Sequence, residues 1–205
     1  MDIYNLGTLC DRLSYRYNEL ATEYADVNES VNIGEQRVVN IKEAIMIVSA
    51  VLSLTQEQVI GFIEETVAFA LQYVYGDEYD FRIIYELKRN QPEVKLIPMK
   101  GDLEYDPKSS CGVGVVDVIS FALRCAMWAL QTPRSGPVLL LDEPFRHLSG
   151  DSANERVGLM VREMAQSLGI QVIIVSGKSG LKEFSDKVFL VTQENGISNV
   201  STLQV

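Results

Sequence analysis

The run Val138-Leu139-Leu140-Leu141 stops abruptly at two adjacent carboxylates and a proline, Asp142-Glu143-Pro144. Consecutive aliphatic side chains bounded by turn-forming and charged residues describe a short strand buried on both faces, as in parallel sheets; a half-exposed antiparallel strand would alternate instead. The residues that follow agree with this. Residues 151–168 are amphipathic with helical spacing and close on Gly169. Residues 171–176 (QVIIVS) form a second aliphatic strand, a short helix lies near 182–185, and 187–192 (KVFLVT) form a third strand. Asn195-Gly196 marks a turn, after which 198–205 (SNVSTLQV) pairs at the edge. Strands alternating with helices imply an α/β layer with a parallel core.

Upstream the pattern differs. Residues 115–130 form an apolar helix containing Phe121, Ala122, Leu123, Met127 and Trp128, with the last two read as core and Cys125 as a buried small hydrophobe. Residues 101–114 (GDLEYDPKSSCGVG) are rich in turn formers and read as loop. The β-rich runs 81–90 and 93–100 form a hairpin around Lys88-Arg89-Asn90-Gln91-Pro92, whose basic pair is a solvated turn or, less favoured, a DNA contact. Thr55, with Gln58 three residues on, caps a helix running to about Val74 and ending at Gly76-Asp77. Leu6, Leu9, Leu13, Tyr17, Leu20 and Tyr24 begin a helical segment, and Ile41, Ala44, Ile45, Val48 and Leu52 continue it after a break at 28–34. The expected organisation is a helical stub over 1–54 and a head-like domain over 55–205. The stub is either a coiled-coil root or an ordinary amphipathic helix.

Composition narrows the function. Apolar residues make up 47%, enough for a real core and too many for a disordered chain. A net charge of −10 repels phosphate backbones, so tight DNA binding by this chain alone is disfavoured. Cys10, Cys111 and Cys125 form no CxxC pair, and there is one histidine, so neither a disulfide framework nor a zinc site is expected. No apolar run reaches a membrane span, and the N-terminus carries no basic secretory region. The expected setting is the reducing cytoplasm.

The strand that ends at Asp142-Glu143 places acid where ligands bind in open α/β sheets. At such a site a first carboxylate can hold Mg2+ and a second can polarise an attacking water. Two carboxylates that merely open a loop and cap a helix are the plainer alternative. Gly112 and Gly114 precede the 115–130 helix, where exposed backbone N–H groups and the helix N-terminus favour an anion. Cys111 stands in the same loop, where a thiol can be partly exposed and acidified.

The order of these features is a glycine turn, a helix carrying Ala122-Leu123-Arg124, an LLLDEP strand, a helix and an IIVS strand. In this order the chain resembles the ABC-type ATPase heads of the SMC/SbcC-like DNA repair and chromosome-maintenance family, closest to versions in phage recombination ATPases. The resemblance covers roughly residues 55–200 and implies the C-terminal lobe of a head: parallel strands, a small β-hairpin region and an N-terminal coiled-coil-like stub. It assigns Cys111, Gly112 and Gly114 to the signature loop that contacts nucleotide on an opposite head. It assigns Asp142 to the Walker B magnesium acid and Glu143 to the catalytic glutamate. His147 and Ser149, with Arg146 and Leu148, fall in the D-loop, which reaches across the head dimer. Ser176 and Gly177 occupy the switch-loop position. The implied cofactors are Mg2+ and ATP in a completed composite site. The implied partner is a Walker A-bearing half or a full-length SMC/SbcC-like protein, with a nuclease subunit possible in the same assembly and DNA reached only indirectly.

Two departures stand against this pattern. The switch position holds Ser176-Gly177-Lys178 where the family has histidine, and Val113 and Val115 replace more typical signature residues. There is also no Walker A motif. Gly177-Lys178-Ser179 matches the tail of one, but the first glycine would fall at Val172, inside a strand. The reading is a half-head that supplies Walker B, signature and D-loop to a partner, in DNA recombination or repair. The competing reading is a non-catalytic protein that docks on and regulates such an ATPase. An unrelated α/β domain with an accidental LLLDEP is the third.

Overall fold

The computed structural model describes residues 3–88, 91–177 and 179–203. The chain divides into two compact units, Met1–Gln56 and Glu57–Val205.

In the first unit the described residues are all helical and belong to helix α1 (Ile3–Tyr75). The expected break at 28–34 does not occur, nor does a new helix start at Thr55. The Thr55 hydroxyl donates to the Val51 carbonyl at 2.8 Å, one turn back in the same helix, and Ser30 does the same to Asp26 at 2.9 Å. Such back-bonding satisfies the hydroxyl inside a helix, so it does not act as a cap. Gly34 costs about 1 kcal/mol of helix propensity, which is not enough to stop the helix. Every side chain from 6 to 56 is exposed.

The second unit holds the core. The last turns of α1 enter it through Val67, Ala70, Leu71 and Val74, at the spacing of one helix face. Arg156 donates to the Val74 carbonyl at 3.1 Å, occupying one of the acceptors that a helix end leaves open. Strands β1 (Tyr79–Lys88), β2 (Gln91–Lys100) and β3 (Leu103–Glu104) form an antiparallel sheet, with Lys88 opposite Gln91. Arg89 and Asn90, the tip of the expected turn, lie outside the described residues. Lys88 itself bridges Glu93 at 2.9 Å and Glu86 at 3.5 Å on the surface. Glu64 on α1 accepts the Ile83 N–H at 2.6 Å and so ties β1 to the helix.

Helix α2 (Val113–Leu130) begins two residues earlier than expected and buries Val118, Phe121, Ala122 and Cys125. Trp128 is core as expected, and its indole N–H donates to the Gly136 carbonyl at 3.2 Å. Met127, by contrast, lies on the surface, because neighbouring helix positions point about 100° apart. Strand β4 (Val138–Asp142), helix α3 (Asp151–Leu168) and strand β5 (Gln171–Val175) follow, and β4 pairs with β5 in parallel. Gly169 ends α3 in the left-handed region, at φ 66°, where a glycine is unstrained. A 3-10 helix (Ser179–Phe184) leads to the antiparallel hairpin β6 (Val188–Glu194) and β7 (Ile197–Leu203). Thus the expected third strand is β6, and it pairs with β7 across the Asn195-Gly196 turn.

Only one face of β4–β5 is covered. Leu141 is buried, and Leu139, Val172 and Ile174 pack on the core. On the other face Leu140 is 74% and Val175 63% exposed, with Val138 and Ile173 exposed beside them. The strand expected to be buried on both faces is buried on one.

Among the described residues two helices are long and apolar enough to cross a membrane by length and composition alone. One is α2, a core helix. The other is α1, whose longest stretch free of charge, residues 44–56, falls short of the roughly 20 residues a span requires.

Candidate functional site

In the parallel pair Asp142 lies opposite Val175, so residues 142–143 and 176–177 leave the sheet side by side. The Glu143 N–H donates to the Val175 carbonyl at 2.8 Å and folds the chain over the end of β5. Glu143 sits at φ 45°, a left-handed conformation that costs a non-glycine residue about 1–2 kcal/mol. Such strain persists where surrounding contacts hold it. Here the contacts are on the carboxylate. Oε1 accepts the Gly177 N–H at 2.8 Å, and Oε2 accepts the Ser176 hydroxyl at 3.3 Å. Asp142, the last residue of β4, is exposed.

Ser176 and Gly177, expected at the switch position, therefore meet Glu143 through a hydroxyl and a backbone N–H. The same geometry disposes of Gly177-Lys178-Ser179 as a phosphate loop. Val172 is inside β5, and the Gly177 N–H is directed at a carboxylate. Lys178 lies outside the described residues.

A second group gathers at the start of α2. Gly112 is the N-cap residue, with φ −61° and ψ 137° and no side-chain cap. Gly114 lies in the first turn, where a Cβ would meet the Tyr75 hydroxyl at 3.2 Å, the His147 carbonyl at 3.5 Å and Leu148 Cγ at 3.6 Å. A Cβ here would be tight against the Tyr75 hydroxyl and in ordinary contact with the 143–150 loop. Ser149 and the His147 side chain are exposed on that loop, and Leu148 and Phe145 are buried beneath it. Cys111 is partly buried, and burial pushes its thiol up from the ordinary value. The expectation of an acidified thiol is thereby corrected: desolvation penalises the thiolate. Burial also pushes the neighbouring Tyr75 phenol up to about 12, helped by Tyr79, Asp117 and Cys111.

Sequence reasoning passed over Asp117. Its carboxylate accepts the His147 N–H at 2.9 Å and faces His147 Nδ1 at 3.3 Å. A signal was available, because Asp117 is the one acidic residue in a largely apolar helix, one turn after Gly114.

No family model and no curated protein matches the chain. Solved structures do. One, from work on ATP-driven dimerization and DNA-stimulated activation of SMC ATPases, aligns with a TM-score of 0.59 and 20% identity, over 76% of this chain and 89% of that one. An Smc head with a coiled coil and joint from Pyrococcus yayanosii aligns at 0.58 and 19% identity, over 76% of this chain and 28% of that one. An Smc head bound to the C-terminal winged-helix domain of ScpA aligns at 0.57 and 19% identity, over 71% and 43% respectively. The chain thus spans less than half of the latter two. At this identity the likeness is one of architecture, and over about three quarters of its length the chain has the fold of an SMC head domain.

Proposed function

We propose that this chain is the C-terminal half of an SMC/SbcC-like ATPase head acting in the cytoplasm in DNA recombination or repair, as in phage recombination ATPases. It contributes Asp142 and Glu143 to one nucleotide and the Cys111–Gly114 loop, His147 and Ser149 to a second across a head–head interface. A Walker A-bearing half completes the site. The observation that carries this reading is the uncovered apolar face of β4–β5, which ends at the Asp142-Glu143 pair. An exposed contiguous apolar face marks an interaction surface, and here it lies where a nucleotide-binding partner would have to pack.

The chemistry is phosphoryl transfer to water by positioning and magnesium electrostatics. Among the described residues no three of His, Cys, Asp and Glu cluster to hold a metal. That fits Mg2+, which takes one or two carboxylates and fills its other positions with phosphate oxygens and water. Bound there, the ion would neutralise developing phosphate charge. Glu143, oriented by Gly177 and Ser176, is the group to accept the water's proton. The helical residues 6–56 form one strand of a coiled coil. Leu6, Leu13, Leu20 and Val27 recur in steps of seven, and so do Tyr17, Tyr24, Val31, Val38, Ile45 and Leu52.

Affinity capture of the tagged chain from its native cells, with and without Mg-ATP, tests the reading. Recovery of a Walker A-bearing protein, enriched by ATP and lost on Leu140→Glu, is expected. A partner indifferent to nucleotide favours the second reading, a regulator that docks on such an ATPase without catalysis. The observation behind that alternative is the occupied Glu143 carboxylate, which already accepts two hydrogen bonds within its own chain. The isolated chain should hydrolyse no ATP, because its sequence holds no Walker A motif to cradle a β-phosphate. Robust turnover abolished by Glu143→Gln would contradict that.

A further inference from the structure

The loop 143–150 is fastened to α2 by three contacts in helical register. Gly114, Asp117 and Phe121 stand three and four residues apart and so share one face of the helix. Phe121 meets Phe145 with ring centroids 5.4 Å apart. Gly114 lies against His147 and Leu148. Between these two contacts, Asp117 takes the His147 backbone N–H on Oδ2 at 2.9 Å and faces the ring Nδ1 from Oδ1 at 3.3 Å.

The polarity of the second contact follows from the first partner. An ionised carboxylate only accepts, so a hydrogen bond at 3.3 Å requires the proton on Nδ1. A bare Nδ1 would set one lone pair against another. With Nδ1–H committed to Asp117, Nε2 is the nitrogen left for a ligand. The Asp117 side chain is 16% exposed, whereas that of His147 is 53% exposed. The orienting group is therefore sheltered and the oriented ring is open.

We propose that Asp117 is a positioning residue. It pins the 143–150 loop to α2, selects the Nδ1–H form of the neutral His147 ring, and in the protonated ring leaves Nε2–H to donate to a phosphate oxygen of the nucleotide held by the partner half. In the protonated ring both nitrogens donate, Nδ1–H to Asp117 and Nε2–H to the phosphate. The last clause rests on the proposed half-head; the anchoring and the choice of tautomer do not.

His147 is the only histidine in the chain, so selective 15N-histidine labelling of the full-length protein reads it without ambiguity. At about pH 9, where imidazole side chains are neutral, the wild-type ring should be mainly the Nδ1–H tautomer. Asp117→Ala should lower the ratio of the two tautomers at least about fivefold. A wild-type ring protonated at Nε2, or a ratio unmoved by Asp117→Ala, overturns the positioning role. Should the variant fail to fold, the wild-type tautomer still decides. In the capture experiment, His147→Ala should reduce ATP-dependent enrichment of the Walker A-bearing partner several-fold. Unchanged enrichment overturns the phosphate contact. Absence of any such partner for the wild-type chain overturns the half-head itself and leaves the tautomer result standing.

Discussion

The two faces of the β4–β5 sheet are built from the same kinds of residue and meet different fates. Leu139, Leu141, Val172 and Ile174 join the core, while Val138, Leu140, Ile173 and Val175 on the opposite face are exposed. The difference teaches that an apolar run fixes a strand but not which of its faces the core covers. A side chain as apolar as Leu140 gains nothing in solvent, and burying one contributes about 1.5–3 kcal/mol. The covered face contributes to the core, and the uncovered one is the face on which the proposed half-head rests.

The largest expected effect sharpens that contrast. Leu141→Ala should lose about 2–5 kcal/mol of stability by leaving a cavity, whereas Leu140→Ala should stay within about 0.5 kcal/mol in the isolated chain. Equal losses in denaturant melts would mean that the second face is already covered in solution.

Next comes the helix on the covered side. Gly158 on α3 leaves room for the ring of Phe184, which a methyl at 158 would overlap. Arg162 holds the same segment, donating to the Phe184 carbonyl at 2.8 Å. Gly158→Ala should cost about 1–3 kcal/mol by overpacking and should loosen the 3-10 helix beyond the switch position. Faster amide exchange confined to residues 179–184 would be its signature, and unchanged exchange there would argue against the contact.

Alkaline titration probes the covered side chemically. Burial raises the Cys125 thiol from 9.0 to about 12, and the Tyr75 phenol from 10.0 to about 12. Both groups hold their proton in the folded state at pH values where the unfolded chain has lost it. Their contribution is complete below the unfolded value and is lost as pH rises through the folded one. Between those limits each group should lower stability by about 1.4 kcal/mol per pH unit. Cys125→Ala should remove the part of the slope that begins near 9. An identical slope in the variant would show that the thiol is not buried.

The smallest effect belongs to the acid at the strand end. Asp142→Asn should leave stability within about 0.5 kcal/mol, since an exposed residue at the end of β4 supports no core contact. A clear loss of cooperative unfolding would make that acid structural.

Much of the site was legible because it follows from local pattern. The aliphatic run into Asp142-Glu143 predicts both a strand and the place where it ends, and Gly169 predicts the end of α3. The placement of Ser176 and Gly177 beside Glu143 follows from two parallel strands of matched length. What was not legible depends on partners distant in sequence. The Asp117–His147 contact spans thirty residues, and the Gly158 approach needs Phe184. The continuity of α1 was missed for a different reason. Asn28, Gly34 and Thr55 are weak breakers, and each costs less than interrupting the helix and nucleating it again.

The sequence by itself determined the element order from α2 onward, the acid pair at the end of a buried-type strand and the glycine loop before α2, because each is written in local pattern, whereas β3 fell in the stretch 101–114 read as loop. Only the tertiary structure decided which face of β4–β5 is covered, that Met127 is outside, and that the Cys111 thiol is raised. The physical reason is shared. Burial, pairing and desolvation are properties of what surrounds a residue, and residues distant along the chain supply those surroundings.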